Sequence, residues 1–408
     1  MAADLKPRNA KEVEQAIQWA LAGGKALELV GRGSKRAIGR AAQWDAALDL
    51  SGLSGVTLYE PEELVLSAKA GTPLAEIQAL VAASQQELAF EPMDYGPLLG
   101  FSANCGTIGG ALAANLSGPR RIKAGAARDH FLGVSAVSGR GEAFKSGGRV
   151  VKNVTGYDLC KLLAGSWGTL AAMTEVTIKT LPRAETEETV LVLDLDDGAA
   201  GKAMAAAVNS HADVSAATHL PAHAALRIAE AESAGAAVTA FRLEGVAPSV
   251  AQRKSLLEAL LSPFGALGTL AEAASRSLWR AIRDVAPFAA VGPDGQRDIW
   301  RISTVPSRGA DVGRALAEQS DAKLVYDWAG GLIWAALPPS ADASAPLVRA
   351  TVAAAGGHAT LIRAPAAVRA AVAVFTPEAP GLAALTKRVR ESFDPNRVLN
   401  PGRMWAGV

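Results

Sequence analysis

Residues 150–182 read VVKNVTGYDLCKLLAGSWGTLAAMTEVTIKTLP. The pattern predicts a strand, a turn, a helix, a glycine turn and a second strand. Gly156, Gly165 and Gly168 stand where a backbone must bend sharply or approach something closely. Lys152, Asn153, Asp158 and Lys161 sit beside otherwise apolar residues. A plain core unit rarely needs that mixture, whereas a unit that cradles a large amphipathic ligand does.

Two further segments have the same character. Ala26–Val30 suits a short buried strand, and Gly31-Arg32-Gly33-Ser34-Lys35 follows it directly. Glycines there let backbone N–H groups converge on an anion, and Ser34 adds a hydroxyl. The loop is not a dinucleotide fingerprint, because Arg36 stands where GxGxxG needs glycine. Nor is it a GxxxxGK[ST] phosphate loop, because Ile38 lies five residues after Gly33. A plain strand–helix turn explains it equally well. The other segment runs NCGTIGGALAANLSG from Asn104 to Gly118. Gly109 and Gly110, followed by small residues, suit a helix start pressed against a flat ring or a pyrophosphate; tight helix packing is the alternative. Asn115, Ser117 and Gly118 form a polar turn. Arg120 and Arg121 either serve a phosphate or are solvated, and Arg128-Asp129 reads as an internal ion pair. Together the three segments indicate FAD rather than a metal, a nucleotide triphosphate or a nucleic acid.

The rest of the chain bounds this reading. Its 408 residues call for two or three units with sizeable cores. With 41 Lys and Arg against 40 Asp and Glu there is no basic stripe for a phosphate backbone, so nucleic acid is not an expected partner. Two cysteines, Cys105 and Cys160, cannot build a disulfide framework. The first residues are charged from Asp4 onward and carry no apolar run, so no signal peptide is expected. No stretch of eighteen apolar residues appears. A cytoplasmic protein is expected, or one peripheral at the inner membrane through partners.

Asn9 reads as an N-cap with Glu12 in capping-box position, before a helix with Val13, Ile17, Ala20 and Leu21 on one face and Gly23-Gly24 at its end. Strands are expected at Val56–Tyr59 and Leu64–Ala68, and a helix from Pro73 with Leu74, Ile77, Leu80 and Val81 inward. Arg183–Glu188 is polar and acidic and reads as a linker. Strands Thr189–Leu195, Ala240–Glu244 and Gly331–Leu337 with helix Ser255–Leu261 suggest a second α+β unit. Ala341–Ala345 reads as an exposed loop tip, and Leu382–Phe393 as a closing helix.

The three glycine segments, in this order and spacing, resemble the FAD-binding domain of the vanillyl-alcohol-oxidase (PCMH-type) flavoproteins. Phe393-Asp394-Pro395-Asn396-Arg397-Val398-Leu399-Asn400-Pro401-Gly402 is similar to the closing motif of FAD-linked oxidases in that superfamily. Within it, the chain is most similar to the FAD-binding E subunits of bacterial glycolate oxidases. The residues that carry this are Gly118–Arg121, Lys152–Leu159, Trp300–Ser303, Asp327–Gly331 and Gly356–Thr360. The resemblance implies an α+β fold: a PCMH-type two-subdomain FAD-binding domain over 1–183, a second α+β domain with an antiparallel sheet over 184–370, and a C-terminal segment, 371–408, closing back on the first.

It also implies how FAD lies. Gly31, Arg32, Gly33, Ser34 and Lys35 would wrap the pyrophosphate. Phe101–Thr107 and Ala114–Ser117, with Gly109, Gly110 and Gly118, would line the cofactor's middle. Gly168, Thr169 and Leu170 would give backbone contacts, and Gly156, Tyr157 and Asn400 would approach the flavin side. Many relatives attach flavin through a histidine in the first loop; none of the five histidines lies there, so non-covalent FAD is expected. Cys105 sits where some relatives attach flavin through sulfur, but a small buried thiol is the expectation.

Oxidising a 2-hydroxy acid needs a base or metal for the hydroxyl proton, a cation for the carboxylate and a hydride acceptor. The histidine cluster that related hydroxy-acid dehydrogenases carry late in the chain is not found here. His219 and His223 have an i,i+4 spacing that can bind metal on a helix, but Pro221 between them argues against one, so no metal site is expected. Arg301 and His358 are the candidate catalytic residues: Arg301 holds a carboxylate or pairs with an acid at a strand edge, and His358 is a gate or a core residue. The resemblance thus implies an FAD-bearing subunit of a multi-subunit glycolate oxidase. A catalytic flavoprotein partner would turn glycolate into glyoxylate, and an iron–sulfur partner would pass electrons to quinone. The alternatives are a stand-alone FAD-dependent hydroxy-acid or alcohol dehydrogenase, and a subunit that keeps the fold only for assembly.

Overall fold

The computed structural model describes residues 3–149 and 156–406, so Lys152 and Asn153 lie outside the described residues. Three short strands open the fold, Ala3–Leu5, Ala46–Asp49 and Leu27–Val30, parallel, with Ala46–Asp49 in the middle. Helix Ala10–Ala22 covers them with Val13, Ile17 and Ala20 fully buried, each larger aliphatic worth roughly 1.5–3 kcal/mol. Asn9 caps this helix by accepting from Glu12 N–H at 3.0 Å. Glu12 returns to Arg8 N–H at 2.7 Å, one residue earlier than a capping box requires. The chain's end rejoins this sheet: Leu27 N–H donates to Val398 O at 2.7 Å, and Asn400 N–H to Leu27 O at 2.9 Å.

A five-stranded antiparallel sheet follows, in the order Val56–Glu60, Val65–Lys69, Ala171–Lys179, Phe131–Ser138, Ala143–Gly147. Helices Leu74–Ala83 and Ile108–Ala113 are part of the same unit. Leu181–Pro182 pairs with Gln86–Glu87, and strand Thr186–Leu193 begins after three intervening residues. The second half of the expected polar linker, residues 186–188, is therefore sheet. Glu187 is 3% exposed there and accepts from Ser275 Oγ at 2.6 Å, and burial pushes its carboxyl above the usual range.

The remaining sheet has eight antiparallel strands: Leu267–Leu270, Thr186–Leu193, Val238–Gly245, Ala216–Leu220, Lys323–Asp327, Leu332–Leu337, Asp298–Ser303 and His358–Arg363. Period-two alternation decides what each face holds. Val190, Val192, Trp300, Ile302, Ile333 and Leu361 join cores that include residues of helices Asp197–Val208, Ala247–Leu261, Gly309–Gln319 and Ala345–Ala354. Their neighbours Leu191, Ile299, Trp334 and Ile362 join Leu66, Phe90 and Met173 of the first unit in one continuous core. Arg301 falls on this second face, opposite Trp334 on one side and Thr360 on the other. It lies on an interior strand, not at the strand edge the sequence suggested. Ala341–Ala345 is likewise not a free tip, since Ala343 is buried and its carbonyl accepts from Trp300 Nε1 at 2.8 Å.

Charges close the seam between the sheets. Arg120 meets Glu87, Glu91 and Glu244, and Arg242 meets Glu91 and Glu244. Burial alone would raise the Glu91 carboxyl, yet Arg242 and Arg120 hold it down at about 2. Arg120 is thus committed to three carboxylates and serves no phosphate.

Candidate functional site

Two cavities lie side by side and share Trp167. The first is a cleft of about 720 Å³ above strand Leu27–Val30. Gly31, Arg32, Gly33, Ser34 and Lys35 form its lip, and Thr107, Gly109, Gly110 and Gly168 face them. Thr107 caps helix Ile108–Ala113 by accepting from Gly110 N–H at 3.2 Å. A Cβ on Gly31 would lie 2.7 Å from Thr107 Oγ1, and one on Gly110 would lie 3.3 Å from Lys35 Nζ. Both glycines keep the cleft open. Gly109 answers a different need: its Cβ would strike Ala70 at 2.8 Å, so the tight-packing alternative holds there.

Lys35 has no carboxylate partner among the described residues; its ammonium donates to Ser34 Oγ at 3.2 Å. Burial draws its value down from 10.5 to about 8, against the pull of Asp94. Arg36, by contrast, also lines the cleft but is bound to Glu28 at 3.0 and 3.1 Å. At the far side Asn400 accepts Leu29 N–H at 2.9 Å and donates to Trp167 O at 2.8 Å. Arg403 donates to Lys35 O at 2.8 Å and stacks 5.8 Å from the Trp167 ring. Leu29, Leu50, Ala113 and Met173 supply apolar wall. A glycine loop, an enclosed cation with no carboxylate at ion-pair distance among the described residues and an apolar floor fit a group with a pyrophosphate and flat rings.

The second cavity, about 1090 Å³, lies between the first unit and the face of the large sheet that carries Arg301. Ala114, Asn115, Ser117, Gly118 and Arg121 line it from one side. Arg301, Trp334, His358 and Thr360 line it from the sheet, with Asp327 from the end of strand Lys323–Asp327 and Trp328 from the turn that follows. Trp328 is held by Nε1 donating to Gly118 O at 2.9 Å. Arg121 and Arg301 lie 4.9 and 5.0 Å from its ring centroid. Burial lowers both guanidiniums from their ordinary value, and it lowers His358 together with those two charges. Asp327 is the cavity's carboxyl; it accepts Trp328 N–H at 2.8 Å, and burial pushes it up to about 7.

The sequence candidates divide accordingly. Gly156 and Tyr157 line neither cavity, and Tyr157 is 90% exposed. Thr169 and Leu170 sit behind Gly168: Thr169 Oγ1 donates to Ser166 O at 2.7 Å and Leu170 belongs to the core. Asp158 and Lys161 form an exposed helix-cap pair, not part of a cradle. Asp129 accepts from Ala126 N–H at 2.9 Å, and Arg128 is exposed, so their expected ion pair is replaced by a backbone cap. Cys105 is half-buried and lines neither cavity, whereas Cys160 is the buried thiol, pushed up to about 12. His219 lies in a strand, 2.9 Å from Thr239 Oγ1, and no metal-binding cluster exists among the described residues. Nothing in the sequence marks Trp167 and Arg403 as site residues, and within Asp327–Gly331 it assigns no role to Asp327 or Trp328, because a tryptophan or a charged residue near a turn carries no signal until its neighbours are known.

Residues 1–147 match the FAD binding domain family. Over 93% of the chain, and 93% of the relative, the sequence is 30% identical to glycolate oxidase subunit GlcE of Escherichia coli. The chain belongs to the GlcE family of glycolate oxidase subunits. It is an FAD-binding member of the FAD-linked oxidoreductases. A segment of 92 residues is 41% identical to glycolate oxidase subunit GlcD of Bacillus subtilis, covering 22% of this chain and 20% of that one. The fold matches 4-ethylphenol oxidase from Gulosibacter chungangensis with a TM-score of 0.72 at 13% identity, over 99% of this chain and 89% of that one. It also matches p-cresol methylhydroxylase, TM-score 0.69 at 12% identity, over 98% and 88%. These confirm the PCMH-type α+β architecture. Among the described residues no helix is long and apolar enough to cross a membrane.

Proposed function

We propose that this chain is the FAD-carrying subunit of a glycolate oxidase complex, with FAD held non-covalently in the first cleft. The observation that carries the cofactor placement is the Lys35 ammonium, enclosed beside glycines and with no carboxylate at ion-pair distance among the described residues. Lys35, Ser34 and the Gly31–Gly33 backbone would hold the pyrophosphate, and Gly110 and Gly168 would leave room for the rest. Bound FAD supplies hydride and electron acceptance. Non-covalent attachment is supported by a loop without histidine and by Cys105 lying off both cavities. In this reading a partner flavoprotein oxidises glycolate to glyoxylate, an iron–sulfur partner takes electrons toward quinone, and the chain is cytoplasmic or peripheral through those partners. What supports a partner for the chemistry is that, among the described residues, no histidine cluster faces the cavities and His358 is the single histidine that does.

Acid precipitation of the purified chain tests the cofactor assignment. FAD released into the supernatant at about one per chain is expected. Yellow colour retained in the pellet would mean a covalent bond, and no flavin even after reconstitution would remove the assignment.

A further inference from the structure

Helix Pro380–Phe393 carries Leu382, Leu385, Val389 and Phe393 at helical spacing, which puts them on one face. The second half of that stripe is covered. Val389 and Phe393 pack on the main core, and the Phe393 ring meets Phe144 edge-on with centroids 5.9 Å apart. Arg140 ties down the same end by donating to Ser392 O at 3.0 Å. The first half is bare. Every residue from Ala379 to Leu385 is exposed, Leu382 by 53% and Leu385 by 48%, and none of them is charged. Single exposed leucines are ordinary on a protein surface. Helical turns that are apolar on all sides are not, because such a helix is normally buried.

The surroundings decide between occupants. Beside the two leucines stand Pro380, Gly381, Ala383 and Ala384. Small side chains let another backbone come close, whereas a helix lying in a membrane surface carries large apolar side chains opposite many Lys and Arg. The charge at the edge of the bare turns is basic. Lys387 and Arg388 are exposed; Lys387 reaches Glu391 only at 3.8 Å, and Glu378 is engaged by Thr386 Oγ1 at 3.0 Å. A second copy would bring the same two cations, whereas a protein surface rimmed by carboxylates complements them. The segment leading into the helix touches the cofactor wall: the Phe375 ring lies 5.7 Å from that of Trp167, which lines both cavities.

We infer that the first turns of this helix are the docking surface for the partner flavoprotein, which covers Leu382 and Leu385 with an apolar groove rimmed by carboxylates. The inference rests on the proposed complex and names the face through which this chain joins it.

Calorimetric titration of the FAD-loaded chain with the purified partner flavoprotein tests it. Leu382→Glu and Leu385→Glu are each expected to weaken binding about tenfold or more. FAD content and melting temperature stay at the wild-type level, because both positions face water. The double variant Lys387→Glu, Arg388→Glu is expected to weaken binding about three- to tenfold and to flatten its dependence on salt; it decides alone if a leucine variant loses stability. Flavoprotein binding unchanged in these variants would overturn the inference. So would self-association in light scattering, or flotation with phosphatidylglycerol vesicles, that the leucine variants lose while they keep the flavoprotein. A wild-type chain that binds no flavoprotein fails the proposed complex, and this surface with it.

Discussion

Asn400 accepts the backbone N–H of Leu29 at 2.9 Å from 371 positions away in the chain. Its amide nitrogen donates at the same time to Trp167 O at 2.8 Å, and only 1% of the residue is exposed. One side chain thereby joins strand Leu27–Val30, the tryptophan between the two cavities and the C-terminal segment. Asn400→Ala leaves a buried donor and a buried acceptor unpaired, each costing about 1–3 kcal/mol. The expected result is a lower melting temperature and loss of FAD on gel filtration. A variant that melts with the wild type and keeps its flavin would show that the clasp is not needed.

Lys35 titrates in the range where FAD binding is measured. Its folded value is lowered to about 8, so the unliganded protein loses the ammonium as pH rises through that value. Pyrophosphate favours the charged form, so binding takes up a proton above pH 8 and affinity falls there. Fluorescence titration with FAD between pH 7 and 9.5 is expected to show that decline. Lys35→Met is expected to bind about ten- to a hundredfold more weakly, without the slope. A slope that survives in Lys35→Met would assign the titration to another group.

Gly168 carries φ +72, and a Cβ there would stand 2.9 Å from Asn400 Nδ2. Gly168→Ala meets both an unfavourable backbone well and the clasp, together about 1–3 kcal/mol. Gly381, in helix Pro380–Phe393, has no atom near its Cβ position. Gly381→Ala is expected to leave stability unchanged or slightly raised. Denaturant unfolding of the two variants checks both, and equal midpoints would contradict the account of Gly168.

Asp327 gives the fold a pH dependence of known sign. Its folded value is raised to about 7, so the neutral form is favoured. The associated stability is fully present below the ordinary carboxylate value near 4, and is lost as pH rises through about 7. Asp327→Asn is permanently neutral and retains an acceptor for Trp328 N–H. It is expected to match the wild type near pH 4.5 and exceed it by on the order of 1–3 kcal/mol at pH 8. Parallel pH profiles of melting temperature would contradict this.

What the sequence revealed was local. Gly31–Lys35 reads as a strand-to-loop anion turn because glycine, serine and lysine are adjacent in the chain, and the structure places all five residues on one cleft. Arg301 reads as a strand arginine, but whether a carboxylate meets it depends on what lies across two neighbouring strands. Arg120 and Glu187 look like surface charge, yet Arg120 reaches Glu244, and Ser275, 88 positions from Glu187, satisfies that carboxyl. Period-two alternation identifies a buried face but not what the face packs against. Gly156 and Tyr157 follow their motif neighbours in sequence while lying apart from both cavities.

Anaerobic addition of glycolate to the flavin-loaded chain alone, followed by its partner flavoprotein subunit, tests the central claim most directly. The account predicts an oxidised flavin spectrum that persists with glycolate and changes only after the partner is added. Bleaching by glycolate in the isolated chain would contradict it and place the complete oxidation site on this subunit.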